Sequence, residues 1–85
     1  MRGDVKIAAG TFDVGTLPPE KETTTTITFP AGRFTDPPFV ALNSFNGWLI
    51  VKARYVTASS AQIMAIAMPG KTVHNGLVEW IAIGK

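Results

Sequence analysis

No cysteine occurs in the sequence, and His74 is its single histidine. Disulfides therefore cannot stabilise the chain, and the usual structural zinc sites, which need several cysteine or histidine ligands, are excluded. Charged residues are also scarce, at 16% of the 85 residues against 46% hydrophobic ones. A domain of this length buries only about 60% of the surface that its unfolded chain exposes. Oligomerisation is the stabiliser that remains, with the surplus apolar surface hidden between subunits.

The net charge is only +2, and the basic residues are scattered along the chain rather than clustered. We therefore expect no nucleic-acid binding, which requires a basic patch or stripe. No apolar run approaches the roughly 20 residues that span a bilayer, and no signal-peptide core follows the first residues. These absences predict a soluble protein without membrane insertion. Arg2-Gly3-Asp4 matches an integrin-binding tripeptide, but so short a match arises easily by chance.

Alternating and β-branched runs, broken at short intervals by Gly, Pro and Asn, predict an all-β sandwich or barrel. The predicted strands are residues 5–9, 11–14, 23–29, 39–43, 48–57, 62–68 and 77–83. Gly10 is expected to interrupt the first run, and Asn46-Gly47 predicts a two-residue type I′ hairpin turn before strand 48–57. In strand 23–29, Ile27 and Phe29 share a face with Thr23 and Thr25.

Strand 48–57 carries two alternating sets of side chains. One set is assigned to the core: Leu49, Val51, Ala53 and Tyr55. The other, mixed set is assigned to a subunit contact or a ligand-facing surface: Trp48, Ile50, Lys52, Arg54 and Val56. Trp80 lies mid-strand among apolar residues and is expected in the core, whereas Trp48 follows a turn, where its ring could be exposed.

The residues of a catalytic site are largely missing. Nucleophilic catalysis needs a base beside the nucleophile, and only His74 could supply one, without a nearby acid in sequence. The six acidic residues are spread along the chain, so a facing pair across a cleft is not expected. No calcium loop or phosphate-binding glycine loop is present, and no cofactor is predicted. We expect no enzyme; a small hydrolase based on His74 is the remaining alternative.

Several segments resemble the landmarks of the H-type lectin domain. They are Gly10-Thr11-Phe12-Asp13-Val14-Gly15, Ile27-Thr28-Phe29, Phe34 with Pro37-Pro38-Phe39-Val40, residues 51–57, and Val78-Glu79-Trp80-Ile81-Ala82-Ile83-Gly84. The resemblance covers residues 10–85, which leaves residues 1–9 as an N-terminal extension or an extra edge strand. It implies a six-stranded antiparallel β-sandwich that assembles as a parallel homotrimer. The family binds N-acetylgalactosamine-type sugars in clefts between subunits, and it has relatives in bacteriophage tail and fibre proteins.

The sugar-binding residues of that family are replaced in this sequence. Aligned on Ala53-Arg54, Ile50 stands where the family has a sugar-binding arginine. Counting back from Trp80 places Met68 at the position of a stacking tryptophan and His74 at that of a tyrosine. A buried hydroxyl-rich ligand needs its polar groups paired, so we expect the family's sugar specificity to be lost.

The sequence thus predicts a non-enzymatic trimeric interaction or adhesion module, a virion component assembled in a host cytoplasm: a fibre, a tail tip or a capsid decoration knob. Its expected partners are its own copies, with other virion proteins or a host-surface glycan. The alternative is a secreted lectin for galactose- or N-acetylgalactosamine-type glycans at subunit clefts. The candidate trimer contact is Trp48, Ile50, Lys52 and Arg54. The candidate ligand-binding residues are Trp48, Met68, Lys71, His74 and Asn75.

Overall fold

The computed structural model describes residues 5–85, and the Arg2-Gly3-Asp4 tripeptide lies outside the described residues. The secondary structure of this described range consists of six β-strands. In chain order they are β1 (Lys6–Asp13), β2 (Glu22–Thr28), β3 (Phe39–Ser44), β4 (Leu49–Arg54), β5 (Ser60–Ala67) and β6 (Leu77–Gly84). Within residues 5–85, no helix is long and apolar enough to cross a membrane.

The strands form two three-stranded antiparallel sheets, ordered β1-β6-β3 and β2-β5-β4. Each sheet buries one face against the other sheet, so the all-β, sandwich-like fold that the alternation predicts is confirmed. β6 and β5 are the central strands. Because β1 and β6 pair along their whole length, Lys6 at the start of β1 lies opposite Gly84 at the end of β6.

The core lies between the two sheets and combines small residues with aromatic ones. Every second residue of β5 is buried, and three of these four are alanines: Ala61, Ile63, Ala65 and Ala67. The small alanines leave space for an aromatic cluster in which the Phe29 ring lies 5.3 Å from Phe34 and 5.7 Å from Trp80, between centroids. Trp80 is 8% exposed, as expected of a core residue. The alternation predicted for residues 23–29 is also confirmed, with Ile27 and Phe29 buried.

Gly10 lies inside β1, and the prediction that it interrupts the strand is wrong. It faces Trp80 across the β1–β6 pair, and a Cβ at this position would lie 2.8 Å from the indole Nε1. The glycine therefore marks a close approach of an aromatic ring to the backbone rather than a break. As a result β1 runs continuously across the boundary between residues 9 and 10.

The predicted hairpin turn at Asn46-Gly47 is also wrong. A type I′ turn requires positive φ at both central residues, and among the described residues positive φ occurs at six other positions. β3 and β4, on either side of this segment, belong to different sheets. Residues 45–48 therefore connect one sheet to the other. Within this connection the Asn46 side chain accepts a hydrogen bond from the Trp48 N–H.

Strand β4 ends at Arg54, three residues earlier than predicted, because Tyr55 adopts a φ of 52°. This left-handed residue reverses the alternation that follows. Tyr55, predicted in the core, is 70% exposed, and its ring lies 5.0 Å from the Arg54 guanidinium carbon. Val56, predicted to point outward, packs against the core instead. Of the other predicted core residues of this strand, Leu49 is buried and the next two are half-buried.

Candidate functional site

Two connections meet at one end of the sandwich and bring most of the predicted ligand-binding residues together. The β3–β4 connection carries Trp48, and the β5–β6 connection carries Met68, Lys71 and His74. They meet because β4 begins where β5 ends, with Leu49 opposite Ala67. The ladder continues one step further, since the Met68 N–H donates to the Trp48 carbonyl at 2.9 Å. We call Asn46, Trp48, Met68, Lys71 and His74 the Trp48 cluster.

Asn46 ties the two connections together. Its Oδ1 accepts a hydrogen bond from the Trp48 N–H at 2.9 Å, an Asx turn. Its Nδ2 donates to the His74 carbonyl at 3.1 Å. Sequence reasoning assigned Asn46 only to a turn. The sequence signal for this bridging role is the amide side chain of Asn46. It can hydrogen-bond two backbone segments at once, which a glycine or a proline in a turn cannot do.

The Trp48 ring is the main apolar element of the cluster. It is 47% exposed, as its position after a turn predicted, and the Lys71 Nζ lies 4.4 Å from its ring centroid. This is a cation–π distance. An exposed aromatic ring with a cation beside it forms a surface that can contact a hydroxyl-rich or anionic ligand.

The remaining predicted ligand residue, Asn75, follows His74 and has a φ of 54°. Its carbonyl accepts a hydrogen bond from the Leu77 N–H at 2.8 Å, and its side chain is exposed. Asn75 therefore shapes the last turn before β6, one residue away from the cluster. The contact between Asn46 and His74 involves the His74 backbone carbonyl and not its imidazole ring.

The predicted trimer contact lies on the outer face of the β2-β5-β4 sheet, which we call the β4 face. Ile50, Lys52 and Arg54 point outward from β4, with Trp48 just before them. This face is mixed in character: one row across it is Glu22, Ile66, Ile50; the next is Thr24, Met64, Lys52; the third is Thr26, Gln62, Arg54. Each of these rows contains a charged side chain.

Sequence reasoning missed the outer face of the other sheet, which we call the Phe39 face. Two neighbouring rows across β1, β6 and β3 are wholly apolar: Ile7, Ile83, Phe39 and then Ala9, Ile81, Ala41. Phe39 is 71% exposed and Ile7 51%. The third row is polar and consists of Thr11, Glu79 and Asn43. The sequence signal for this face lies in β6. Apart from Glu79, the side chains on both sides of this strand are apolar, a pattern typical of strands that are covered on both faces.

A shallow hollow of about 290 Å³ lies on the Phe39 face, between the second and third rows. Its lining includes Ala9, Ala41 and Ile81 on the apolar side and Asn43 and Glu79 on the polar side. Pockets for drug-sized ligands usually enclose ~300–1,000 Å³. The volume of the hollow falls just below that range.

Within residues 5–85, no three His, Asp or Glu side chains lie close enough together to hold a metal ion. No protein-family model, no curated protein and no solved structure matches the chain.

Proposed function

We propose that this chain is a non-enzymatic, trimeric interaction module, a component of a bacteriophage virion that serves in a fibre, a tail tip or a capsid decoration knob. The observation that carries the proposal is the Phe39 face. A single copy leaves two complete rows of apolar side chains exposed to water on one side of an 85-residue chain. Contiguous exposed apolar patches of this kind are typical of protein contact sites.

The energetic gain from covering this face is substantial. The exposed fractions of Ile7, Phe39, Ile81 and Ile83 together correspond to roughly two full side chains. Full burial of one such side chain contributes about 1.5–3 kcal/mol, so covering the four contributes ~3–6 kcal/mol per copy. At roughly 0.05–0.15 kcal/mol per residue, a folded chain of 85 residues is stable by ~4–13 kcal/mol, so this gain is a large share of the stability of one copy. Assembly and folding are therefore expected to be coupled.

The resemblance to the H-type lectin domain supports three copies and a place in a virion. In a parallel trimer, all copies present the same connections around one axis. Three weak contacts then act together, because the second and third bind at a high effective concentration. On this proposal the Trp48 cluster, repeated three times, faces the partner, which is another virion protein or a host-surface glycan.

The mass of the purified protein in solution tests the proposal. We expect light scattering at micromolar concentration to give three times the 9.1 kDa of one chain, and we expect the trimer to persist on dilution. A folded, stable monomer under these conditions would overturn the proposal. Turnover of an ester or glycoside that is abolished in His74→Ala would overturn the non-enzymatic part.

A second candidate function is that of a lectin for galactose- or N-acetylgalactosamine-type glycans. It is favoured by the half-exposed Trp48 ring, on which the apolar face of a sugar can stack, with the Lys71 ammonium group beside it as a hydrogen-bond donor. A glycan array tests this second candidate. Reproducible binding of one sugar that is lost in Trp48→Ala and retained in Phe45→Ala, an exposed aromatic residue of the same connection, would establish the lectin.

A further inference from the structure

We propose that the outer edge of β4 binds an extended acidic peptide segment of another protein, which adds to the β2-β5-β4 sheet as a fourth strand. The segment carries carboxylates at alternate positions, opposite Lys52 and Arg54. This edge and the Phe39 face belong to different sheets, so the edge stays accessible whether or not the Phe39 face is covered.

The backbone of β4 has unpaired groups along one side, because this strand pairs with β5 only. The Met68 N–H donates to the Trp48 carbonyl, and bonded pairs alternate along an antiparallel ladder, so every second β4 residue counted from Trp48 bonds to β5. The residues between them, Val51 and Ala53, direct their N–H and C=O groups away from β5. Within residues 5–85 these groups have no hydrogen-bond partner, so they can pair with an added strand.

The charges beside this edge determine which strand fits. Lys52 and Arg54 lie two residues apart on the β4 face, and the two rows that contain them hold no acidic residue. An added antiparallel strand forms its hydrogen-bonded pairs with Val51 and Ala53. Lys52 and Arg54 then fall in the non-hydrogen-bonded pairs, where facing side chains come closest and opposite charges stabilise the pairing. The best partner therefore has an Asp or Glu at every second position.

The Arg54 side chain is already oriented by its neighbours. Its Nε donates to the Gln62 Oε1 at 3.3 Å, and its guanidinium carbon lies 5.0 Å from the Tyr55 ring centroid. Because that hydrogen bond uses Nε, the terminal guanidinium nitrogens remain able to donate to a carboxylate. The exposed rings of Trp48 and Tyr55 lie just before and just after β4. Trp, Tyr and Arg are the residue types most enriched at binding hot spots.

A second copy of this chain does not supply a matching strand. Two β4 edges side by side would place like charges opposite one another, which is destabilising. None of the six strands of the described range has two acidic residues two positions apart. The acidic residues of these strands occur singly, in β1, β2 and β6: Asp13, Glu22 and Glu79. The occupant is therefore a segment of another protein.

Titration with a synthetic peptide tests for strand addition. The probe is a capped peptide of about eight residues, within the usual range of strand lengths, in which glutamate alternates with threonine. We expect the peptide to shift the backbone amide NMR signals of Val51 and Ala53 and to leave those of β2 in place. No shift in β4 at millimolar peptide would overturn the proposal.

Methylation of the peptide backbone separates ladder formation from attraction between charges. With the glutamates opposite Lys52 and Arg54, the threonine nitrogens of the peptide face β4 and the glutamate nitrogens point away. Methylation of the threonine nitrogens is expected to weaken binding on the order of tenfold or more, because the ladder bonds are lost. Methylation of the glutamate nitrogens is the matched control and should leave binding close to that of the parent peptide. Equal binding of the two methylated peptides would overturn strand addition.

Charge reversal tests the side-chain contacts. Lys52→Glu is expected to weaken binding of the acidic peptide on the order of tenfold and to allow binding of a peptide in which lysine alternates with threonine. Lys6→Glu makes the same change in net charge in the other sheet and should leave binding of the acidic peptide unchanged. Equal effects of the two substitutions, or none in Lys52→Glu, would overturn the proposal.

A pair of proline substitutions tests the edge itself. Val51→Pro removes an outward N–H from β4, and Thr26→Pro removes one from β2, the opposite edge of the same sheet. We expect Val51→Pro to lose peptide binding and Thr26→Pro to retain it. If Val51→Pro fails to fold, the methylated peptides decide the question with the wild-type protein. Shifts of the β4 amides by an acidic polysaccharide such as polygalacturonate, and not by the peptide, would overturn the proposal in favour of a glycan.

Discussion

Replacement of Gly10 by alanine tests the close approach of the Trp80 ring to β1. A Cβ at residue 10 would lie 2.8 Å from the indole Nε1 and 2.9 Å from Cε2, distances at which one of the two groups must move. Trp80 cannot move freely, because its ring also packs on Phe29 with 5.7 Å between centroids. We therefore expect Gly10→Ala to destabilise the protein, although alanine is normally the better residue in a strand.

The magnitude follows from two opposing effects. Overpacking of a core costs about 1–3 kcal/mol, and exchange of a glycine for alanine within a strand returns roughly 0.5–1 kcal/mol. The difference between the two effects is a loss of ~0–2.5 kcal/mol in the free energy of unfolding, and the short 2.8 Å contact places the expectation in the upper part of that range, at ~1–2 kcal/mol. For a domain of this size that corresponds to a fall in Tm of about 4–16 °C. Gly47→Ala is the matched control, because a Cβ there meets no atom within 4 Å.

The assay is urea unfolding monitored by circular dichroism at one fixed protein concentration, since assembly makes stability concentration-dependent. Trp80→Phe removes the part of the ring nearest to residue 10, so Gly10→Ala should cost less in that background than in the wild type. This double-mutant comparison isolates the contact. A wild-type midpoint in Gly10→Ala, or an undiminished cost in the Trp80→Phe background, would refute the reasoning.

Three further changes probe the core, a loop and the Trp48 cluster by the same unfolding assay. Ile63→Ala removes a fully buried side chain and should cost ~2–5 kcal/mol, whereas Ile66→Ala on the outer side of β5 should cost clearly less; equal losses would contradict the assigned faces. Gly70 has a φ of 75° and an open surrounding, so Gly70→Ala should cost about 1–2 kcal/mol through backbone strain alone, and a neutral result would argue against that conformation. Lys71→Met should cost ~0.5–1 kcal/mol through loss of the cation–π contact and Lys71→Arg much less; an identical effect of both would contradict it.

Most of the strands are predictable from the sequence, apart from the break at Gly10 and the end of β4, because their signal is local. The threonine-rich run of β2 is stiff and β-branched, and its alternation places Ile27 and Phe29 on the buried side without reference to any other strand. Trp80 is likewise placed in the core by its apolar neighbours in β6. Such features depend only on neighbouring residues in the chain, so a single sequence is enough to predict them.

The division of the strands between two sheets is not local, and there the sequence misleads. Asn46-Gly47 has the composition of a tight hairpin, but the same residues also suit a connection that crosses between sheets, as they do here. The reversal at Tyr55 is a similar case. A bulky residue at positive φ is unusual. No pattern in residues 48–57 indicates the position at which the alternation of buried and exposed side chains is reversed.

The candidate site divides in the same way. Trp48, Met68, Lys71 and His74 could be nominated from loop positions and from the family resemblance, and the structure places them at one end of the sandwich. The Phe39 face could not be predicted in this way, because it depends on how β1 and β3 are aligned with β6. Ile7, Phe39 and Ile83 form one row only when β1, β6 and β3 lie side by side in a particular alignment.

The pairing of β1 with β6 has a consequence for how the module can be joined to other proteins. With Lys6 opposite Gly84, the polypeptide enters and leaves the fold at neighbouring points, so a short linker is enough to close the chain into a circle. New termini could then be opened at Gly47, whose surroundings are uncrowded. Such a circular permutant keeps every strand pair, and a domain fused to it would sit beside Trp48 instead of at the far end of the molecule.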